Sequence, residues 1–131
     1  EAELVALLEA GRVGEAASLE QGDQLGFFYS AGEPGHLMVL AATPEDTARL
    51  VPASGPRSAA VAAATESPLP DGAVFGPGSG CEWIVGLYSP QPFTEEQARA
   101  RVAEMVAGRE GCRLALPAAD GIEARFVTVR R

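Results

Sequence analysis

Cys81-Glu82-Trp83-Ile84-Val85-Gly86-Leu87-Tyr88-Ser89 is the stretch that decides the fold. Trp83, Val85 and Leu87 fall on one face of an alternating pattern, and Ile84 and Tyr88 fall on the other. No other segment of the chain reads as strongly as a β-strand.

Strands are expected on both sides of it in the sequence. From Asp23 to Ser30, Leu25, Phe27 and Tyr29 share one face and Phe28 takes the other. Both faces of that strand therefore need cover, which a two-layer sandwich or a small closed barrel provides. Leu37 to Ala42 is almost wholly apolar, as expected of a central strand covered on both sides. Ala31-Gly32-Glu33-Pro34-Gly35 between them is dense in turn formers and predicts a hairpin. A short strand over Ala48–Val51 follows the Thr43-Pro44-Glu45-Asp46 turn and stops at Pro52. Arg113–Leu116 predicts a further short strand before Pro117. Ile122–Val129 is rich in β-branched residues and predicts another.

One helix is expected, over 94–107. Thr94 with Gln97 three residues later makes a capping box. Ala98, Val102, Met105 and Val106 repeat at helical spacing as a narrow apolar stripe. Glu95 and Arg99 are a favourable i,i+4 pair on the wet side, and Gly108 is a natural stop. Glu3–Ala10 and Ala59–Ala64 both fit short helices by propensity, a weak guide that tertiary context overrides. Gly11 and Gly14 suggest that the first of these segments turns back on itself. Ser67–Gly80, rich in Pro and Gly, reads as a long loop.

The expected fold is thus mainly β: a sandwich or partly closed barrel of about six to eight strands with one C-terminal helix. At 131 residues the chain holds one domain, spanning 1–131, with a single core. It begins at Glu1 rather than Met, which predicts a processed product or a piece of a longer protein. No apolar stretch approaches the roughly 20 residues that cross a bilayer, so this segment is not expected to insert in a membrane. A membrane anchor preceding it is compatible with this.

The net charge is −8, and all ten basic residues are arginine. Such a surface repels nucleic acid and anionic lipid, and Arg130 and Arg131 are too few to form a basic patch. Nucleic-acid binding is therefore not expected. The two cysteines, Cys81 and Cys112, lack the four-ligand spacing of a zinc site. They could close a disulfide loop of about 30 residues, worth roughly 3–4 kcal/mol on chain-entropy grounds. Buried free thiols are the other reading, and both stand at this level.

Few residues suggest chemistry. His36, the single histidine, could be a general base or a pH sensor. It follows Pro34-Gly35 at a strand start, where a lone histidine is usually structural, and no Gly-x-Ser-x-Gly elbow accompanies it. Gly76-Pro77-Gly78-Ser79-Gly80 lacks the Gly-Lys-Ser/Thr ending of a phosphate-cradling loop and reads as a flexible connection. Asp71, Glu95, Glu96, Asp120 and Glu123 do not reproduce a calcium loop and read as solvated surface. Trp83 and Phe27-Phe28-Tyr29 could line a pocket, although aromatics within strands are more often core. The residues point to no catalytic group, no metal site and no cofactor.

The order of these segments resembles a bacterial family of domains of unknown function that is appended to anti-sigma factors, caspase-like proteases and protein kinases. It is most similar to the myxobacterial type of anti-sigma-factor ectodomain. The likeness rests on Gly22-Asp23-Gln24-Leu25 entering a strand, on Leu37-Met38-Val39-Leu40, and on Ala48-Arg49-Leu50-Val51-Pro52. Leu69-Pro70-Asp71-Gly72, Gly80-Cys81-Glu82 and Ser89-Pro90-Gln91-Pro92 continue it. It covers roughly Leu4 to Met105. Two features depart from the pattern: Thr43-Pro44-Glu45-Asp46 stands where an Asp-x-x-Gly hairpin is expected, and the zinc-binding segment of anti-sigma factors is missing. The resemblance implies a non-enzymatic sensory or protein-interaction module of a larger regulator, periplasmic or otherwise extracytoplasmic, with a protein or peptide partner. It supplies no catalytic residues. The alternative is a cytoplasmic accessory domain that positions substrate for a caspase-like protease or a kinase.

Overall fold

The computed structural model describes residues 2–8, 11–12, 16–18, 24–52, 55–68, 73–74, 80–115 and 121–130, with side chains over 31–52, 55–63, 80–115, 121–124 and 126. In chain order its strands are β1 (Ala2–Leu8), β2 (Gly11–Arg12), β3 (Ala16–Ser18), β4 (Gln24–Ala31), β5 (Gly35–Ala42) and β6 (Thr47–Val51). They continue with β7 (Ala59–Val61), β8 (Ala64–Pro68), β9 (Ala73–Val74) and β10 (Cys81–Ser89), then helix α1 (Glu95–Ala107) and β11 (Glu123–Arg130). The protein is mainly β with a single helix, as expected. Among the described residues, seven strands have five or more residues (β1, β4, β5, β6, β8, β10 and β11), within the expected six to eight. The others are pieces of two or three residues, too short to carry an alternating pattern.

The strands form two sheets. One runs β2-β1-β4-β8, with β9 also on β4; the other runs β3-β11-β10-β5-β6, with β7 also on β5. β10 lies in the middle of the second sheet. It pairs antiparallel with β11 from Cys81↔Arg130 to Tyr88↔Glu123, and with β5 from Trp83↔Ala42 to Ser89↔His36.

Five local expectations are corrected. β4 and β5 do not form a hairpin, because they belong to different sheets. The flanks of β4 are taken by β1 and by β8 with β9, and those of β5 by β10 and by β6 with β7. The 32–34 turn instead carries the chain from one sheet to the other. Tyr88 fixes the crossing: its hydroxyl donates to the Glu33 carbonyl at 2.7 Å, with its ring over Gly35. A Cβ on Gly35 would lie 2.5 Å from that ring, so no larger residue fits without moving it.

The segment read as a helix over Glu3–Ala10 is strand β1 as far as Leu8, paired with β4 from Ala2↔Ala31 to Leu8↔Leu25. Ala59–Ala64 is likewise not helical, but forms β7 and the start of β8. Both segments are too short to sustain a helix alone, and a cross-strand partner decides their state. The predicted turn-back survives, since β1 folds onto β2 with Leu8↔Gly11 opposite each other; Gly14 lies outside the described residues.

Ser67–Gly80 is not loop throughout: β8 runs to Pro68, and Ala73-Val74 pairs with Gln24-Leu25. Arg113–Ala115 is not a strand either. Glu110 and Arg113 exchange backbone hydrogen bonds of 2.9 and 3.0 Å in a tight turn, and Leu116 lies outside the described residues.

The core lies between the second sheet and α1. Met38, Leu40 and Ala42 of β5 and Trp83, Val85 and Leu87 of β10 meet Ala98, Val102, Met105 and Val106 of α1, with Phe93 and Leu114 at its margins. Leu37, Val39 and Ile84, on the opposite side of the pleat, are buried too. Both faces of the central strands are therefore covered, as their apolar composition demands.

The helix is specified by local chemistry at both ends. Thr94 Oγ1 accepts from the Gln97 N–H at 3.2 Å, and the Gln97 side chain accepts from the Thr94 N–H at 2.9 Å. The Glu95 N–H, an orphan donor of the first turn, donates to the Pro56 carbonyl at 2.8 Å. Gly108 caps the helix, its N–H donating to the Glu104 carbonyl at 3.1 Å, and a Cβ there would approach that of Ala115 to 3.0 Å. Thr94→Ala leaves the Gln97 N–H without its cap and is expected to cost about 1 kcal/mol in urea unfolding. Thr94→Ser, which keeps the hydroxyl, is expected to recover most of that loss.

Candidate functional site

The described side chains form an open groove of about 460 Å³. The turn 43–47 forms one wall, and Arg99, Ala103, Val106, Ala107 and Arg109 form the other. Both walls are held by specific bonds.

The turn wall follows from its sequence. Thr43 places a hydroxyl ahead of Pro44, and its Oγ1 accepts from the N–H groups of Asp46 at 3.1 Å and Glu45 at 3.3 Å. The Thr43 N–H donates to the Asp46 carbonyl at 2.8 Å, and Asp46 Oδ1 accepts from the Thr47 N–H at 2.8 Å. A side chain mimicking a backbone turn in this way holds a short loop in one shape. Glu45 and Asp46 are left exposed on the rim.

The helical wall is tied to the turn through Arg99. Its Nη1 donates to the Thr47 carbonyl at 2.5 Å and its Nε to Glu95 Oε2 at 2.6 Å. Arg49 of β6 reaches the same carboxylate through Nη1 and also donates to the Gly55 carbonyl. Glu95 is thus clasped by two guanidiniums, one from the sheet and one from its own helix. At the far end of the groove Arg109 Nη1 donates to the Val106 carbonyl at 2.8 Å. Between the arginines this helical wall is apolar, from Ala103, Val106 and Ala107.

The hydrogen bond from Arg99 holds the Glu95 carboxyl below its usual range, against the opposing effect of burial and with help from the Arg49 charge. A carboxyl whose folded pKa is depressed contributes stability above its unfolded value of about 4.3, and loses it as pH falls through the folded value. Glu95→Gln is therefore expected to lower the urea midpoint at neutral pH. The gap to the parent protein should close progressively in acid. A gap independent of pH would show that the ionised carboxylate contributes nothing.

The outer edge of β6 is partly closed by this network, since the Thr47 carbonyl is already engaged by Arg99. A strand adding to that edge would meet an occupied acceptor, whereas the turn and the helix face beside it stay open.

The other sequence candidates are dispersed. His36 lies in β5 directly opposite Ser89 of β10, with a buried Nδ1 that has no hydrogen-bond partner. Ser89 Oγ accepts from the Gln91 N–H at 3.1 Å. Trp83 is fully buried in the core, and its indole N–H donates to the Cys112 carbonyl at 2.7 Å. Cys81 and Cys112 are joined in a disulfide with Cα atoms 5.5 Å apart. The bridge ties the start of β10 to the loop beyond α1. Of the acidic residues, Glu95 and Glu96 lie in the first turn of α1 and Glu123 in β11.

The side chains of Phe27, Phe28, Tyr29 and Arg130 lie outside the described ones, as do residues 76–79, Asp71, Asp120 and Arg131. Among the described residues, no three His, Cys, Asp or Glu side chains are grouped to hold a metal ion, and no helix is long and apolar enough to cross a membrane. Burial raises the pKa of Tyr88, and the charges of Glu33 and Glu123 raise it further.

Sequence reasoning found the Glu95–Arg99 pair but missed Arg49, whose side chain arrives from 46 residues away. It also missed the groove, although Thr43-Pro44 was legible as a turn. Compared with protein-family models, with curated proteins and with solved structures, the chain matches none.

Proposed function

We propose that this chain is a non-enzymatic recognition module of a larger bacterial regulator, binding a protein or peptide segment in the groove between the 43–47 turn and α1. The observation that carries the reading is the pre-organisation of that groove. Its walls are held by the Thr43 turn and the Arg49–Glu95–Arg99 network, so a ligand need not first order a loop. An apolar wall with charged rims is also the usual composition of a protein contact surface.

The Cys81–Cys112 bridge supports an extracytoplasmic location, since disulfides persist in oxidising compartments. The order of motifs from Leu4 to Met105 supports an ectodomain similar to those of anti-sigma factors. The mixed charges at the groove and the net charge of −8 favour a protein partner over nucleic acid.

A photo-crosslinking residue at Ala103, in the groove, and another at Ala60, exposed on β7, test the reading in the cells that make the protein. A discrete protein adduct is expected from position 103 and not from position 60. Equal labelling at both positions, or none at 103, would overturn the proposal.

A further inference from the structure

We draw no further inference here: the strongest candidate, the groove between the 43–47 turn and α1, belongs to the site already described, and with Glu45 and Asp46 on one wall and Arg99 and Arg109 on the other its charges single out no occupant.

Discussion

Trp83→Ala is expected to destabilise the protein by about 3–5 kcal/mol, the range for removing a large aromatic side chain from a packed interior. Two effects combine. The indole is fully buried among Met38, Leu40 and the apolar face of α1, so its loss leaves a cavity between sheet and helix. The Cys112 carbonyl also loses its donor. Trp83→Phe separates the two, keeping most of the ring volume and removing only the N–H, and is expected to cost much less. Trp83 is the only tryptophan, so unfolding in urea has to be followed by far-ultraviolet circular dichroism rather than fluorescence. A loss below about 1 kcal/mol for Trp83→Ala would mean that helix and sheet are not packed through this residue.

Replacing both cysteines by alanine is expected to cost roughly 3–4 kcal/mol, the entropy of a loop closed across a sequence separation of 31 residues. The double variant avoids a lone thiol that could pair between molecules. Unfolding with and without reductant provides the control: the parent should fall to the variant's midpoint on reduction, and the variant should not respond. This loss is not expected to add to that of Trp83→Ala. The bridge fixes the backbone of Cys112, whose carbonyl accepts from the indole, and neighbouring sites couple.

These two sites show how differently the parts of the protein could be read from sequence. Strand β10 was legible residue for residue because its signal is internal: five apolar side chains alternate over nine residues. The helix was equally legible, since Thr94, Gln97, the apolar stripe and Gly108 are all local. Segments whose state depends on a distant partner were ambiguous, with only a weak helical propensity to go by. Leu4, Val5, Leu7 and Leu8 suit a helix as well as a strand, and only pairing with β4 some twenty residues later settles the matter. The run Ala59-Ala60-Val61 is the same case, decided by Gly35, His36 and Leu37 on β5.

The turn at 32–34 failed for a different reason. Gly32 and Pro34 announce a reversal but not which sheet the chain enters next, and the crossing is held by a tyrosine 55 residues away. The groove combines both kinds of signal. Its turn wall is written locally in Thr43-Pro44, whereas its second wall arrives through Arg99, 52 residues downstream of the carbonyl it holds.

Recognition in the groove is tested most directly by measuring the affinity of the partner captured at position 103 for the parent protein, Ala103→Trp and Ala60→Trp. Both alanines are exposed, so neither indole disturbs the core. At position 103 it fills the groove, and at position 60 it stands on the edge strand β7. Binding at least about tenfold weaker for Ala103→Trp, equivalent to roughly 1.4 kcal/mol, with Ala60→Trp unchanged, is the expected result. Equal affinity for all three proteins would place recognition elsewhere on the molecule.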